Sequence, residues 1–123
     1  MTTWTNDELT RIGQADELQL AVLRGDGTPR ARLPIWVVRD GDALYVRSYR
    51  GSAGAWYRAA VKHGEGHIRA GGVDKDVTLA EVADVAVNDR VDAAYRAKYG
   101  CYGASYLGPM TAARDTTLEL VPR

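Results

Sequence analysis

The sequence has one cysteine, no phenylalanine and no excess of charge of either sign. A single cysteine, Cys101, excludes an intrachain disulfide and favours a cytoplasmic protein, because structural disulfides belong to oxidising compartments. Sixteen basic and sixteen acidic residues balance to zero net charge, which argues against a general nucleic-acid binder. The first residues are polar and acidic, unlike a signal peptide. No apolar run approaches the roughly 20 residues that cross a bilayer, so we expect no membrane partner.

What the chain does contain is the composition of an ordinary globular domain. Of its 123 residues, 46% are hydrophobic and 26% are charged, and both values are typical. A chain of this length buries roughly two-thirds of its unfolded surface, which is enough for a core. We therefore predict a single domain over residues 1–123, with three tryptophans and seven tyrosines supplying its aromatic groups.

Hydrophobic periodicity divides most of the chain into strands and short helices. Alternating apolar and polar side chains, bounded by turn residues, predict six strands, at about residues 18–23, 30–39, 43–49, 66–70, 76–85 and 116–121. Thr5 and Glu8 have the spacing of a capping box and predict an N-terminal helix over about residues 5–13. Two further helices are predicted, one from Ser52 to Gly64 and one capped by Asn88 and ended by Gly100.

The connections between these strands favour an antiparallel sheet. Asp40-Gly41 is a hairpin signal between two apolar runs, and Gly71-Gly72 is a second turn. Pro34 lies inside the second strand, which predicts that this strand is an edge or carries a bulge. Residues 101–109 are interpreted as a Gly- and Tyr-rich connection. We expect a mainly β protein of the α+β class, with a six-stranded antiparallel sheet forming a small barrel with peripheral helices.

The segment SYRGSAGAWYRAA combines cations, glycines and serines where the second helix is predicted to begin. The first N–H groups of a helix lack internal partners and carry partial positive charge, and glycines let a ligand approach the backbone. These amides, Ser52 and either Arg47 or Arg50 therefore predict a site for an anionic group, most plausibly a phosphate. The alternative is that Ser52 only caps the helix and the arginines are solvated.

One face of the second predicted strand carries Arg30, Arg32, Pro34 and Trp36. Cations beside a flat aromatic suit a planar, electron-rich ligand, since guanidinium groups bind carbonyl or phosphate oxygens and an indole ring stacks. An exposed edge with scattered charges, or a dimer interface, explains the same pattern nearly as well.

Two long runs of the sequence resemble the split β-barrel flavin-binding superfamily, which is pyridoxamine-phosphate-oxidase-like. They are RGDGTPRARLPIWVVRDGDALYVRSYRG and AWYRAAVKHGEGHIRAGG. The C-terminal runs VDAAYRAKYG and TAARDTTLELVP resemble the closing helix and strand of the same proteins. The likeness covers about residues 18–122. It is nearest to the deazaflavin-dependent nitroreductase type and to related uncharacterised small bacterial proteins.

The resemblance implies a split β-barrel that binds FMN or the deazaflavin coenzyme F-420. Carried over by position, the residues that would line the ring of the cofactor are Arg32, Leu33, Pro34, Ile35 and Trp36. Those that would hold its phosphate are Arg47, Ser48, Arg50, Gly51 and Ser52. Two more would brace that loop or reach the tail, namely Trp56 and Arg58. The tyrosines that correspond to the substrate pocket of the nitroreductase type are Tyr99, Tyr102 and Tyr106.

One departure from the nitroreductase type concerns the turn before the second strand. That type usually has a Lys- or Arg-rich Gly/Ser turn, whereas this chain has GDGTP, with Asp26 in its place. An acidic residue there disfavours a coenzyme with a long acidic tail. FMN, another compact ligand and the absence of any cofactor all stay open.

The function implied by the resemblance is that of an oxidoreductase, active as a homodimer, that transfers a hydride to or from a small organic substrate. In such a protein the cofactor performs the chemistry and the barrel binds and orients it. A non-catalytic module that binds a small anion or a cofactor is the alternative. His63 and His67 are separated by helix-breaking glycines, so we predict no metal site, and Cys101 is interpreted as a packed thiol.

Overall fold

Seven antiparallel strands form one curled sheet in the computed structural model, which describes residues 3–123 apart from the side chains of Ala104 and Tyr106. The strands are β1 Leu18–Val22, β2 Leu33–Ile35, β3 Val38–Asp40, β4 Ala43–Val46, β5 Glu65–Ala70, β6 Val73–Glu81 and β7 Leu118–Pro122. Their order across the sheet is β2-β1-β5-β6-β7-β4-β3. Every neighbouring pair is antiparallel, as predicted.

The link between β2 and β3 shows that the sheet curls on itself. These strands occupy opposite edges of the sheet, yet only Trp36 and Val37 separate them in sequence. An extended chain covers at most about 11 Å over that interval, so the two edges must approach each other. The result is a partly closed barrel whose gap is crossed by this link.

The same link explains why the structure has seven strands and not six. The prediction of one strand over residues 30–39 is wrong, because the chain leaves one sheet edge after Ile35 and joins the other edge at Val38. At the bend, the Val37 N–H donates to the Tyr99 hydroxyl at 3.2 Å, and its carbonyl accepts from Lys98 Nζ at 2.6 Å. The backbone is thus satisfied by α-helical residues at the point where the ladder stops. Pro34 lies in an edge strand, as expected of a residue without a donor.

Four helices surround the sheet in the described part of the chain: α1 Asn6–Gln14, α2 Ala55–His63, α3 Val85–Tyr99 and α4 Ala104–Ala112. The predicted capping box of α1 is confirmed by two bonds, Glu8 N–H to Thr5 Oγ1 at 3.1 Å and Thr5 N–H to Glu8 Oε1 at 2.9 Å. The cap of α3 is Asp84 and not Asn88. None of these helices is long and apolar enough to cross a membrane.

Two segments after α2 differ from the prediction. Residues 101–109, interpreted as a connection, contain most of α4. Pro109 and Gly108 inside the segment disfavour a helix in isolation, so tertiary packing decides the formation of α4. The fifth predicted strand is also shifted, because β6 pairs with β5 across the Gly71-Gly72 turn and begins at Val73.

The core divides between the two faces of the curled sheet. The larger cluster is enclosed by the sheet, α1 and α2, and includes Leu20, Leu44 and Ile68, none of which is exposed. The smaller cluster lies between the outside of β3 and β4 and the helix α3. Residues on β4 alternate accordingly, since Leu44 and Val46 join the larger cluster and Tyr45 joins the smaller one.

Candidate functional site

A cleft of about 980 Å³ opens beside β2 and the Trp36–Val37 link. One wall is formed by residues 33–36, a second by residues 47–50 that follow β4, and a third by the start of α2 at residues 54–56. Asp16, Glu17, Tyr102 and Met110 complete the lining. A cleft of this size accepts a cofactor or a drug-sized molecule.

The start of α2 faces this cleft without a cap from any side chain. Gly54 is its N-cap residue, and no side chain of the described residues accepts from the first turn. The first bond of the helix backbone runs from the Arg58 N–H to the Gly54 carbonyl at 3.1 Å. The preceding amides, including those of Ala55 and Trp56 in the cleft wall, have no helical acceptor. An uncapped helix start attracts an anion.

Ser48 lies directly against this helix start and is completely buried. Its N–H donates to Thr116 Oγ1 at 3.0 Å, but its own Oγ has no hydrogen-bond partner. A Cβ atom added to Gly54 would lie 2.5 Å from that Oγ, so any other residue there requires the Ser48 side chain to move. A buried hydroxyl without a partner is uncommon in folded proteins. Ser48 also belongs to the lining of the cleft.

Ser52 does not cap the helix, which corrects the sequence interpretation. It is exposed in a 3-10 turn, Gly51–Ala53, that ends one residue before the actual N-cap, Gly54. Gly51 provides the positive φ of +67° that this turn requires. Neither Gly51 nor Ser52 lines the cleft. Their contact with a phosphate stays a prediction.

Arg50 is the cation of this loop that faces the cleft. Its side chain is exposed and lines the cleft wall, and none of the ion pairs among the described residues involves it. An exposed guanidinium beside uncapped amides adds a bidentate donor for a phosphate or carboxylate.

Arg47 is buried and bonded within the protein. It is 1% exposed, and its guanidinium is surrounded by acceptors of the protein itself: Thr117 Oγ1, Asp92 Oδ1, the Met110 carbonyl, and the carbonyl and Oδ1 of Asn88. A guanidinium has five N–H donors, and five bonds are made. All five donors are therefore used within the protein, and although Arg47 lines the cleft, its binding of a phosphate stays a prediction.

The buried Arg47 ties β4 to the helices behind it. Its bond to Asp92 is 2.5 Å long, and Asp92 also accepts from Arg114 at 2.5 Å. The guanidinium carbon lies 5.5 Å from the centre of the Tyr95 ring. Burial raises the pKa of that tyrosine well above its usual value. A buried cation with complete hydrogen bonding holds the residues that follow β4 in place.

The ring-binding wall predicted from the second strand is only partly assembled. Leu33, Pro34, Ile35 and Trp36 all line the cleft, whereas Arg32 is exposed and does not line it. Trp36 stacks on Tyr99 with ring centroids 3.9 Å apart and an interplanar angle of 1°. The tyrosine supports one face of the indole.

The three predicted substrate-pocket tyrosines fall into different environments. Tyr99 is fully buried, and its hydroxyl donates to the Asp16 carbonyl at 2.7 Å, so it supports the cleft wall and does not line it. Burial raises its pKa well above the usual range. Tyr102 is 46% exposed and lines the cleft. The side chain of Tyr106 lies outside the described residues.

Of the two residues expected near the tail of a cofactor, only one reaches the cleft. Trp56 lines it from the first turn of α2, while Arg58 is exposed and lies outside its lining.

Six residues that line the cleft are not among the predicted site residues: Asp16, Glu17, Tyr49, Gly54, Ala55 and Met110. The two acidic residues immediately precede β1, and the pairing of Leu18 with Ile35 brings them beside Trp36. That register is not visible in the sequence. Tyr49 falls inside the segment that the sequence analysis singled out, and its position among Arg47, Ser48 and Arg50 was an available signal.

Solved structures with low sequence identity share this fold. A Listeria innocua protein provisionally assigned as a pyridoxamine 5'-phosphate oxidase superposes with a TM-score of 0.66 at 14% identity, over 96% of this chain and 92% of that one. The FAD and heme binding protein of Mycobacterium smegmatis gives 0.58 at 17% identity, over 98% and 66%. A protein named F420 reductase gives 0.52 at 18% identity, over 93% and 90%.

These likenesses confirm the predicted fold class, an antiparallel, partly closed barrel with peripheral helices. No curated protein matches the sequence. Residues 8–120 match the model of a family described as an uncharacterized protein conserved in bacteria, DUF2255, and the chain therefore belongs to that family.

Proposed function

We propose that this protein binds a flavin-type cofactor, FMN or the deazaflavin coenzyme F-420, in the cleft beside β2. The observation that carries the proposal is the meeting of an uncapped helix start with the unpartnered, buried Ser48 hydroxyl in the wall of that cleft. The amides and the hydroxyl are donors without an acceptor, and the oxygens of a phosphate are acceptors. The FAD-binding and F420-named proteins of similar fold support the same reading.

The phosphate would be held by groups of three kinds. The amides of Ala55 and Trp56 would donate from the helix start, and the Ser48 hydroxyl, which lies against Gly54, would donate beside them. Arg50 adds a charge from the exposed side of the cleft. Charge-assisted hydrogen bonds of this kind are stronger than neutral ones, and the net-neutral chain thereby concentrates positive potential at one place.

The ring of the cofactor would lie against the other wall of the cleft, formed by β2 and Trp36. Leu33, Ile35 and the indole present an apolar surface, and Tyr99 fixes the indole by stacking behind it. A flat heteroaromatic ring packs well on such a surface. A bound flavin or deazaflavin supplies hydride-transfer chemistry, and the chain binds it, orients it and limits the access of water.

We further propose that the protein acts as an oxidoreductase on a small organic substrate. The 980 Å³ cleft is at the upper end of the range for ligand sites, which leaves space beside a cofactor ring. Transfer of a hydride between the ring and a substrate needs no separate acid–base pair in the protein.

Titration with FMN, F-420 and heme, followed by visible absorbance, tests the binding proposal. We expect saturable binding of FMN or F-420. Ser48→Ala and Arg50→Ala should each weaken binding by about ten-fold, because each removes a donor to the phosphate. Ser52→Ala is the matched control and should bind like the wild type, since Ser52 is exposed outside the cleft.

Two outcomes would contradict the assignment. Equal affinity in the wild type and in a Ser48→Ala/Arg50→Ala variant would show that the phosphate binds elsewhere. Heme binding without flavin binding would reassign the cleft. If the cofactor binds but no acceptor from a broad panel accelerates its reoxidation, the protein is a non-catalytic binding module and not an enzyme.

A further inference from the structure

One end of the cleft combines two carboxylates with two aromatic rings. We call it the acidic end and define it as Asp16, Glu17, Trp36 and Tyr102, all of which line the cleft. The carboxylates precede β1, and the β1–β2 register places them next to Trp36. The proposed phosphate site has the opposite charge, so the cleft is electrically asymmetric.

The carboxylates of the acidic end are not neutralised by ion pairs. Asp16 and Glu17 are both exposed, and none of the ion pairs among the described residues includes either one. Their field reaches the cleft, because Asp16 first, and Glu17 to a smaller extent, raise the pKa of the Tyr102 hydroxyl. The negative charge of these carboxylates can therefore attract a cationic ligand.

Asp16 also acts on Lys98, whose pKa its charge raises against the effect of burial. The Lys98 Nζ donates to the Val37 carbonyl at 2.6 Å and lies 5.0 Å from the centre of the Tyr99 ring. Lys98 does not line the cleft, so its ammonium does not occupy the space in front of the two carboxylates.

Two aromatic rings accompany these carboxylates in the lining of the cleft. Trp36 is covered on one face by Tyr99 at 3.9 Å. Tyr102 is inclined to it by 36°, with the ring centroids 5.5 Å apart. Inclined aromatic faces beside carboxylates are the usual surroundings of bound ammonium and quaternary nitrogen groups. An anionic group would meet repulsion from the carboxylates at this end.

The cleft is a built site independently of these carboxylates. Ser48 is fully buried in the cleft wall and its Oγ has no partner in the protein. That hydroxyl indicates that the cleft binds a ligand. The charge of the acidic end then indicates that a neighbouring part of the ligand, or a second ligand, is positively charged.

We infer that the acidic end binds the cationic part of the substrate, such as a protonated amine or a quaternary nitrogen, beside the cofactor. That the bound cation is a substrate rests on the proposed function, whereas the preference of the cleft for a cation does not depend on it. The same carboxylates disfavour a coenzyme tail rich in acidic groups, so FMN is expected to bind more tightly than F-420.

Calorimetric titration with a matched pair of probes tests this selectivity. The cation is 1-methylnicotinamide and the neutral analogue is nicotinamide, each titrated with and without FMN. We expect the wild type to bind the cation about ten-fold more tightly, and an Asp16→Asn/Glu17→Gln variant to lose that preference. The variant keeps the fold contact of Asp16, because Tyr99 donates to its main-chain carbonyl.

An Asp42→Asn/Glu81→Gln variant is the matched control. It changes the net charge equally at two exposed residues outside the cleft, so it should retain the preference. Equal binding of the two probes by the wild type, or a preference that survives in Asp16→Asn/Glu17→Gln, would overturn the inference. The FMN titration separates the two proposals: if FMN fails to bind while the cation is still preferred, the flavin proposal is wrong and this one stands.

Discussion

Arg47 and Ser48 are neighbours in sequence and are both buried, yet they have opposite roles. Adjacent side chains of an extended segment point to opposite sides, so Arg47 meets α3 and α4 while Ser48 meets the start of α2. The guanidinium finds five acceptors, whereas the hydroxyl finds none. At the scale of the residue, complete hydrogen bonding identifies structural support, and an unpaired group identifies a candidate contact.

The Arg47–Asp92 pair predicts a large loss of stability when only one partner is removed. Arg47→Ala should lower the free energy of unfolding by about 3 kcal/mol, because the buried Asp92 keeps only Arg114 as a cation and the acceptors around the guanidinium lose their donor. An Arg47→Met/Asp92→Leu variant should lose clearly less, since apolar groups replace both charges. Urea unfolding followed by circular dichroism measures both. A loss below about 1 kcal/mol for Arg47→Ala would contradict the structural role.

At the scale of the element, the loop between β4 and α2 is shaped by close packing. The 3-10 turn Gly51–Ala53 brings Gly54 so close to Ser48 that a Cβ at Gly54 would require the Ser48 side chain to move. The helix then begins at Ala55 without a side-chain cap. A capping residue would contribute about 1 kcal/mol to the free energy of unfolding. This helix start lacks that contribution, and its first amides have no side-chain acceptor.

We therefore expect Gly54→Ala to lower both the stability of the protein and its affinity for FMN. The new methyl group would meet Ser48 Oγ at 2.5 Å, and such overpacking costs about 1–3 kcal/mol. The matched control is Gly108→Ala, which lies in α4 and would meet no atom within 4 Å; it should be neutral or stabilising. Thermal unfolding and the FMN titration report both quantities.

A second substitution, Ser48→Ala, should restore the stability that Gly54→Ala loses. Ser48→Ala removes the Oγ that the new methyl group meets, so Ser48→Ala/Gly54→Ala should recover most of the lost stability. Recovery of stability without recovery of FMN affinity is expected, because the double variant still lacks the hydroxyl. If the second substitution leaves the stability defect unchanged, the clash is not its cause.

At the scale of the whole molecule, closure of the barrel brings distant charges together. The Trp36–Val37 link joins both sheet edges and is held by Lys98 and Tyr99 at the end of α3. It thereby places a half-buried ammonium behind the cleft. Burial lowers the pKa of Lys98 to about 8, and the charge of Asp16 opposes that shift only in part.

This lowered pKa predicts that stability rises with pH above neutrality. Between about pH 8 and the ordinary lysine pKa of roughly 10.4, the unfolded chain binds more protons than the folded chain, so the free energy of unfolding increases. The penalty is fully present below pH 8. Tyr99 has a raised pKa, which reverses the trend above about pH 10.

Urea unfolding between pH 7 and about 9.5 measures the rise, and Lys98→Met is the test variant. Methionine does not titrate, so the slope in this range should disappear even if the variant is less stable at every pH. A wild-type stability that stays flat or falls over this range would contradict the assignment to Lys98.

Much of the candidate site was predictable because it depends on local chemistry. Pro34, Trp36 and Arg50 were singled out from residue type and from their order along the chain, whereas Leu33, Ile35, Ser48 and Trp56 came from the family resemblance. Two details depend on the tertiary structure. Arg47 is enclosed by residues far away in the chain, and the N-cap of α2 is Gly54 and not Ser52.

The amino-acid sequence by itself determined the class of fold, the antiparallel pairing of hairpins and the first helix, because periodicity, turn residues and capping boxes act between close neighbours. Tertiary structure alone decided the seventh strand, the helix α4 and the acidic end of the cleft. Those features depend on where the sheet curls and which strands pair, and that outcome is set by packing between residues far apart in the chain. Asp16 and Trp36 meet only because β1 pairs with β2 in one register.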